Sequence, residues 1–273
     1  MEGIKRGILM NKYPTSTCLI ISTFQNPTAL KEILNRIIDG SKLPSSIHVA
    51  DDGSDDDTLN LIKSYQTENN IRIYHHWHEN IGFRKCKILN KTLMACQENY
   101  VIFLDGDCLP HNDFIKDHIT LSERRYFVQG RRCFISQDMV LPLLEGRMTL
   151  SGLFLRGKIS GLFKSIRFPF PIIKTNMNQR GLIGCNWAAW RKDLLKVNGF
   201  DEDYEGWGIG EDSDICTRLY NIGISRKFVY GRSIVYHLNH EVMDKSHLKS
   251  SNYRLQETIS LRKTRCANGI TKD

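Results

Sequence analysis

Four short apolar runs, at residues 18–21, 47–50, 71–74 and 100–104, punctuate the first part of the chain. Each is too short and too uniformly apolar for an amphipathic helix and reads as a buried strand. Between them, residues 28–39, 55–68 and 83–98 carry apolar side chains at three- and four-residue spacing, the period of a helix with one buried face. This alternation predicts an α/β fold with a mostly parallel central sheet and helices on both faces. Such sheets bind ligands beyond the carboxyl ends of their strands.

From 131 to 180 the pattern loses its period, mixing Arg and Lys with Phe, Leu, Pro and Gly, and reads as a long excursion from the core. Regularity resumes near 181, with helices expected at 191–197 and 211–221 and strands at 227–230 and 233–236. The tail from 241 is polar and basic, with a helix expected around 253–263. A chain of 273 residues with this organisation is expected to form one domain.

The composition, 41% hydrophobic and 25% charged, is that of a globular protein. A net charge of +8 favours anionic partners: nucleic acid, nucleoside diphosphates or a membrane surface. The cations are spread and form no recognisable nucleic-acid module, which argues against nucleic acid. Eight cysteines include no C-x-x-C pair, so the spacing indicates neither a zinc site nor a redox motif, and they read as reduced core residues. Residues 1–17 lack an apolar signal core, and no run reaches the ~20 apolar residues that cross a bilayer, so a cytoplasmic location is expected.

Candidate chemistry gathers at the predicted strand ends. Asp105-Gly106-Asp107 follows the fourth apolar run and offers two carboxylates on a tight turn, suited to a hard divalent cation or, alternatively, a solvated acidic turn. Asp51-Asp52-Gly53-Ser54 follows the second run; turn and cap chemistry explains its later residues, and a carboxylate of the doubled acid could accept a base N–H. Arg84, Lys85 and Lys87 open a helix against its dipole, a conflict that a bound diphosphate would remove; a solvated basic face is the alternative. Gly206-Trp207-Gly208 leads into Glu211-Asp212-Ser213-Asp214, where one acid serves capping and another could act as a general base. Trp207 could stack on a sugar or simply pack. His237, after another apolar run, is placed to approach the Asp105-Asp107 turn as a metal ligand, whereas His75, His76, His78 and His240 read as surface or structural residues.

Taken in order, Asp51-Asp52-Gly53-Ser54, Asn80-Ile81-Gly82, Asp105-Gly106-Asp107, Gly184-Cys185-Asn186, Gly199-Phe200-Asp201-Glu202, Gly206-Trp207-Gly208 and Glu211-Asp212 resemble family 2 glycosyltransferases of the GT-A fold, particularly bacterial chondroitin-polymerase-like and galactosyltransferase-like members. The resemblance implies a nucleotide-binding half (1–130), a variable excursion (131–180), an acceptor and catalytic half (181–240) and a basic tail (241–273). It implies that Ser22, Thr23 and Asp52 hold the nucleoside of a UDP-sugar donor and that Asn186 lines the donor sugar. Asp105 engages donor ribose and metal, and Asp107 and His237 hold Mn2+ or Mg2+. Arg84 and Lys87 stabilise the diphosphate, Asp212 is the base, and Glu211 and Trp207 shape the sugar and acceptor pocket. Phe24-Gln25 and Cys86-Lys87-Ile88 depart from the family's usual Tyr-Asn and Ala-Arg-Asn.

The implied activity is inverting transfer to a glycan or lipid-linked hydroxyl, in bacterial surface polysaccharide or lipopolysaccharide synthesis. Residues 131–174 would serve as peripheral membrane contact, acceptor lid or ordinary packing. A sugar-nucleotide nucleotidyltransferase would be expected to carry a glycine-rich loop after the first strand, and residues 22–27 contain no glycine. A non-catalytic nucleotide-binding protein is the other alternative.

Overall fold

Strand β1 (Thr17–Thr23) is buried along nearly its whole length, and its side chains alternate between two apolar layers, Leu19 and Ile21 on one side and Cys18 and Ile20 on the other. That two-sided burial is why the run reads as continuously apolar. The computed structural model describes residues 13–176, 182–206, 210–240 and 248–272.

Helix α1 (Pro27–Ile38) begins where Pro27 fixes the first helical residue and Asn26 Oδ1 accepts the Ala29 N–H at 3.1 Å. Its Leu30, Ile33, Leu34 and Ile37 face the core. The predicted alternation continues through β2 (Ser46–Asp51), α2 (Asp56–Glu68), β3 (Ile73–Trp77), α3 (Lys85–Ala95) and β4 (Tyr100–Asp105). Parallel pairing joins β1 to β2 and β4, and β2 to β3.

The chain then forms β5 (Cys108–Pro110), α4 (Phe114–Leu121), β6 (Tyr126–Gln129) and β7 (Arg131–Ile135). Short helices α5 (Gln137–Leu144), α6 (Leu150–Leu155) and α7 (Leu162–Ser165) lead to β8 (Ile172–Asn176) and β9 (Asn186–Trp190). The last elements are α8 (Arg191–Lys196), α9 (Glu211–Asn221), β10 (Ser225–Tyr230), β11 (Ile234–Leu238) and α10 (Leu248–Ser260). Eight strands make one sheet in the order β3-β2-β1-β4-β9-β6-β10-β8, and β5-β11-β7 make a second. The large sheet is mostly parallel, but β9 runs antiparallel to both β4 and β6, and β8 to β10.

The expected excursion is corrected by the structure. Strand β7 pairs with β11 and β8 with β10, while Ile135, Leu143, Leu153 and Ile159 lie buried in the same layer as Leu19 and Ile21. Its helices are 8, 6 and 4 residues long, too short to show a period.

All eight cysteines are buried and free. Among the described residues no helix is long and apolar enough to cross a membrane. Register fixes the site: Ser22 lies opposite Asp105, and Thr23 opposite Asp51, at one edge of the sheet.

Candidate active site

A cleft of about 850 Å³ opens over the carboxyl ends of β1, β2 and β4. Gly106 holds its floor. The Gly106 N–H donates to Ser22 O at 2.6 Å, and a Cβ on Gly106 would lie 2.6 Å from that same oxygen, so a side chain cannot be accommodated between the two aspartates. Asp105 accepts hydrogen bonds from Ser22 Oγ and from Lys85 Nζ, both at 2.7 Å.

Asp107 turns the other way. Its Oδ2 lies 3.2 Å from Nε2 of both His237 and His240, and Cys108 Sγ donates to Oδ1 at 3.1 Å. Antiparallel pairing of β5 with β11 brings these groups together. Burial pushes the Asp107 pKa up, but the hydrogen bonds from His237 and His240 outweigh it and hold the carboxyl well below its usual range.

The doubled acid at the end of β2 divides its work. Asp51 is fully buried, taking the Ser54 N–H on Oδ1 at 2.8 Å and His75 Nε2 on Oδ2 at 2.9 Å, and so builds the turn. Asp52 faces the cleft with His78 Nε2 at 2.6 Å on Oδ1 and the Arg84 N–H at 3.0 Å on Oδ2. Burial raises the Asp52 pKa, and His78 and the Arg84 N–H act against that shift. Gly53, at φ +100°, backs onto Asn80, whose Cα would lie 2.7 Å from a Cβ on Gly53. The Asp-Asp-Gly-Ser and Asn-Ile-Gly segments are therefore one interlocked unit.

Across the cleft stands the first turn of α9. Asp214 is structural, paired with the buried Arg218 at 2.6 Å and accepting from Thr258 Oγ1 at 2.8 Å. Glu211 and Asp212 line the cleft. Burial and then the Glu211 charge raise the Asp212 pKa well above the usual carboxylate range, with Lys85 and the Gly184 N–H opposing. Gly184 is required here, because a Cβ on it would fall 1.9 Å from Asp212 Oδ2.

A family model described as Glycosyl transferase family 2 matches residues 18–195, well over half of the chain. The chain belongs to glycosyl transferase family 2. A second model, described as the N-terminal domain of galactosyltransferase, matches residues 169–241, the part that supplies Gly184, Asp212 and His237. The chain is 26% identical over 209 residues to a chondroitin synthase of Escherichia coli, covering 69% of this chain and 29% of that one. It is 24% identical over 222 residues to a validoxylamine A glucosyltransferase of Streptomyces hygroscopicus subsp. limoneus, covering 76% and 48%. It thus spans less than half the length of either relative.

Among solved structures it resembles S. aureus TarS, at TM-score 0.62 and 17% identity over 90% of this chain and 39% of that one. It also resembles the mannosyltransferase PcManGT of Pyrobaculum calidifontis, solved with GDP-Man and Mn2+, at TM-score 0.56 and 17% identity over 93% and 64%. These likenesses establish the shared GT-A fold.

Several residues expected at a family 2 donor site do line the cleft: Ser22, Thr23, Asp52, Asp105, Asp107 and His237. Three others do not. Lys87 is exposed on α3 and absent from the cleft, because residues two apart on a helix face nearly opposite directions and Lys85 takes the inward one. Arg84 contributes its backbone N–H to Asp52, while its guanidinium bonds to Glu79 O. Asn186 is fully buried, bridging His118 Nε2 at 2.9 Å, Arg131 O at 2.9 Å and Ser233 O at 2.7 Å, and ties β9 to its neighbours instead of lining the sugar. Trp207 lies outside the described residues. Lys85, weighed in the sequence only as one of three cations opening a helix, and His240, read there as surface or structural, both reach the cleft, and His75 and His78 are half-buried orienters of Asp51 and Asp52 rather than surface groups.

The donor set at Asp107 fits a divalent cation. A carboxylate and two imidazoles converge there, with Nε2 of both rings 3.2 Å from Asp107 Oδ2. Oxygen and imidazole donors together suit Mn2+ well.

Proposed function

We propose that this chain transfers a sugar from a UDP-sugar donor to a hydroxyl of a glycan or lipid-linked acceptor with inversion at the anomeric carbon, in surface polysaccharide or lipopolysaccharide assembly. The observation that carries the reading is the placement of Asp212 across one cleft from Asp105 and Asp107, with Lys85 between the two sets of carboxylates. Asp52 accepts a base N–H, and Ser22, Thr23 and Asp105 face the ribose. Asp105, Asp107, His237 and His240 would hold Mn2+ or Mg2+, which supplies Lewis-acid stabilisation of the departing diphosphate.

Lys85 has two effects. Burial works against its ammonium, but the carboxylates of Asp105, Asp212 and Glu211 raise its pKa well above the usual lysine range, so it stays charged. That charge opposes the burial and Glu211 effects on Asp212, whose pKa nonetheless stays raised, which makes its carboxylate a stronger base toward a hydroxyl proton. Asp212 takes the acceptor proton as the acceptor oxygen bonds to the anomeric carbon and the C–O bond to the diphosphate breaks, its electron pair leaving with UDP. Glu211 shapes the acceptor side and keeps Asp212 basic.

Calorimetric titration with UDP and GDP, each with and without Mn2+, tests the donor side, and failure to bind either nucleotide with Mn2+ would sink the reading. Asp212→Asn should bind UDP like the wild type and lose transfer by about 10²–10⁴-fold. The highly exposed Leu155 and Phe170, on a stretch that also bears Arg156 and Lys164, support peripheral contact with an anionic membrane. Co-sedimentation with anionic vesicles should weaken in Leu155→Glu/Phe170→Glu.

A further inference from the structure

At the opposite end of the sheet from the cleft, a second set of ligating side chains has no part in glycosyl transfer. Cys18 near the start of β1, His48 on β2, and Cys96 and Glu98 between α3 and β4 bring two sulfurs, an imidazole nitrogen and a carboxylate oxygen to within 4.8 Å of one another. Cys18, Cys96 and His48 are buried, and Glu98 closes the cluster on its half-exposed side. We propose that Cys18, His48, Cys96 and Glu98 form a structural zinc site.

The donor set is that of a closed tetrahedral site for a borderline-soft ion, and the residues around it orient the ligands as such sites require. His48 Nδ1 lies 2.9 Å from His76 Nε2, and the two rings stack at 5.1 Å, which leaves His48 Nε2 for the metal. In that arrangement His76 Nε2 accepts the His48 Nδ1–H. Ser46 Oγ donates to Glu98 Oε1 at 2.6 Å and lies 3.1 Å from His48 Nε2, spanning the two ligands that the ion would join. The sulfurs stand 2.8 Å apart, against a separation of roughly 3.8 Å for two Zn–S bonds in tetrahedral geometry, so the ion must part them by about 1 Å. The sequence shows no zinc spacing because its ligands come from three separate segments.

The test uses the full chain purified under reductant and loaded with Co2+, because a thiolate-to-cobalt charge-transfer band reports sulfur ligation; Cys108 also stands beside Asp107, so Asp107→Asn is the variant that separates the two sites. The band should appear at one Co2+ per chain, persist in Asp107→Asn, and vanish in Cys18→Ala/Cys96→Ala. If that double variant fails to fold, Glu98→Gln serves, with zinc affinity expected to fall about tenfold or more. Absence of the band in the reduced wild type, its persistence in the cysteine variant, or unchanged zinc affinity in Glu98→Gln would overturn the site. None of these outcomes bears on the glycosyl-transfer reading.

Discussion

Lys85 Nζ lies 2.7 Å from Asp105 Oδ1, and this ion pair, not the neighbouring cations of the same helix turn, brings positive charge into the cleft. Lys85→Ala should remove charge from both the donor site and the surroundings of Asp212. Turnover per bound donor is expected to fall by about 10²–10³-fold, as for loss of a preorganised electrostatic contact. Lys87→Ala should stay within about twofold of wild type. Steady-state kinetics of the two variants side by side check the assignment, and equal losses would refute it.

His240 shares Asp107 Oδ2 with His237 at the same 3.2 Å, yet is far more exposed. Its removal should leave a weakened metal site. In His240→Ala the Mn2+ concentration for half-maximal activity should rise roughly tenfold, about 1.4 kcal/mol, with turnover at saturating Mn2+ largely preserved. In Asp107→Asn activity should not recover at any Mn2+ concentration.

Gly184 and Asp212 leave no room for a methyl group between them. Gly184→Ala should therefore displace the base. Because a misplacement of about 1 Å can cost about 10²-fold, transfer is expected to drop by that order while UDP affinity and thermal stability change little. A variant that transfers normally would show that Asp212 is not the base.

Asn186 and His118 form a buried pair whose role is stability. Asn186→Ala would strand a histidine nitrogen and take a donor from the Arg131 and Ser233 carbonyls, the second of which keeps the Arg131 N–H, at a cost of about 1–3 kcal/mol. Burial lowers the His118 pKa to about 4, against the usual ~6.5, with the Asn186 bond opposing. As the pH falls below ~6.5 the unfolded chain takes up a proton that folded His118 refuses. Stability is thus intact above that pH and lost toward pH 4, by roughly 3 kcal/mol from this group. Urea midpoints at pH 7.5 and 4.5 should differ less in His118→Gln than in wild type. Half-buried His76, also lowered to about 4, adds a similar slope in both proteins.

The parts of this site legible in the sequence share a physical cause. Buried parallel strands are unbroken apolar runs, so β1, β2 and β4 announce where their carboxyl ends lie, and Asp52, Asp105 and Asp107 follow from that. The remaining assignments needed information that one-dimensional spacing lacks. Choosing Lys85 over Lys87 requires the phase of α3 against the sheet. His240 sits two residues beyond β11, where only the β5 pairing shows that it reaches Asp107. Asn186 lies in a motif suggestive of a sugar pocket, but its environment is set by Gly130, Arg131 and Ser233, far away in sequence. The short helices after β7 hide a real part of the core because none makes enough turns to show a face.

Strand β9 joins the two halves of the molecule, antiparallel to β4 on one side and β6 on the other, and the loop before it supplies the glycine that admits Asp212. Both family matches include it. For chimeras that exchange C-terminal halves between relatives, this makes β9 the seam. A junction after α8 transplants Asp212 and His237 while keeping β9 with its native neighbours. A junction between Gly184 and Trp190 would cut the strand on which both halves depend.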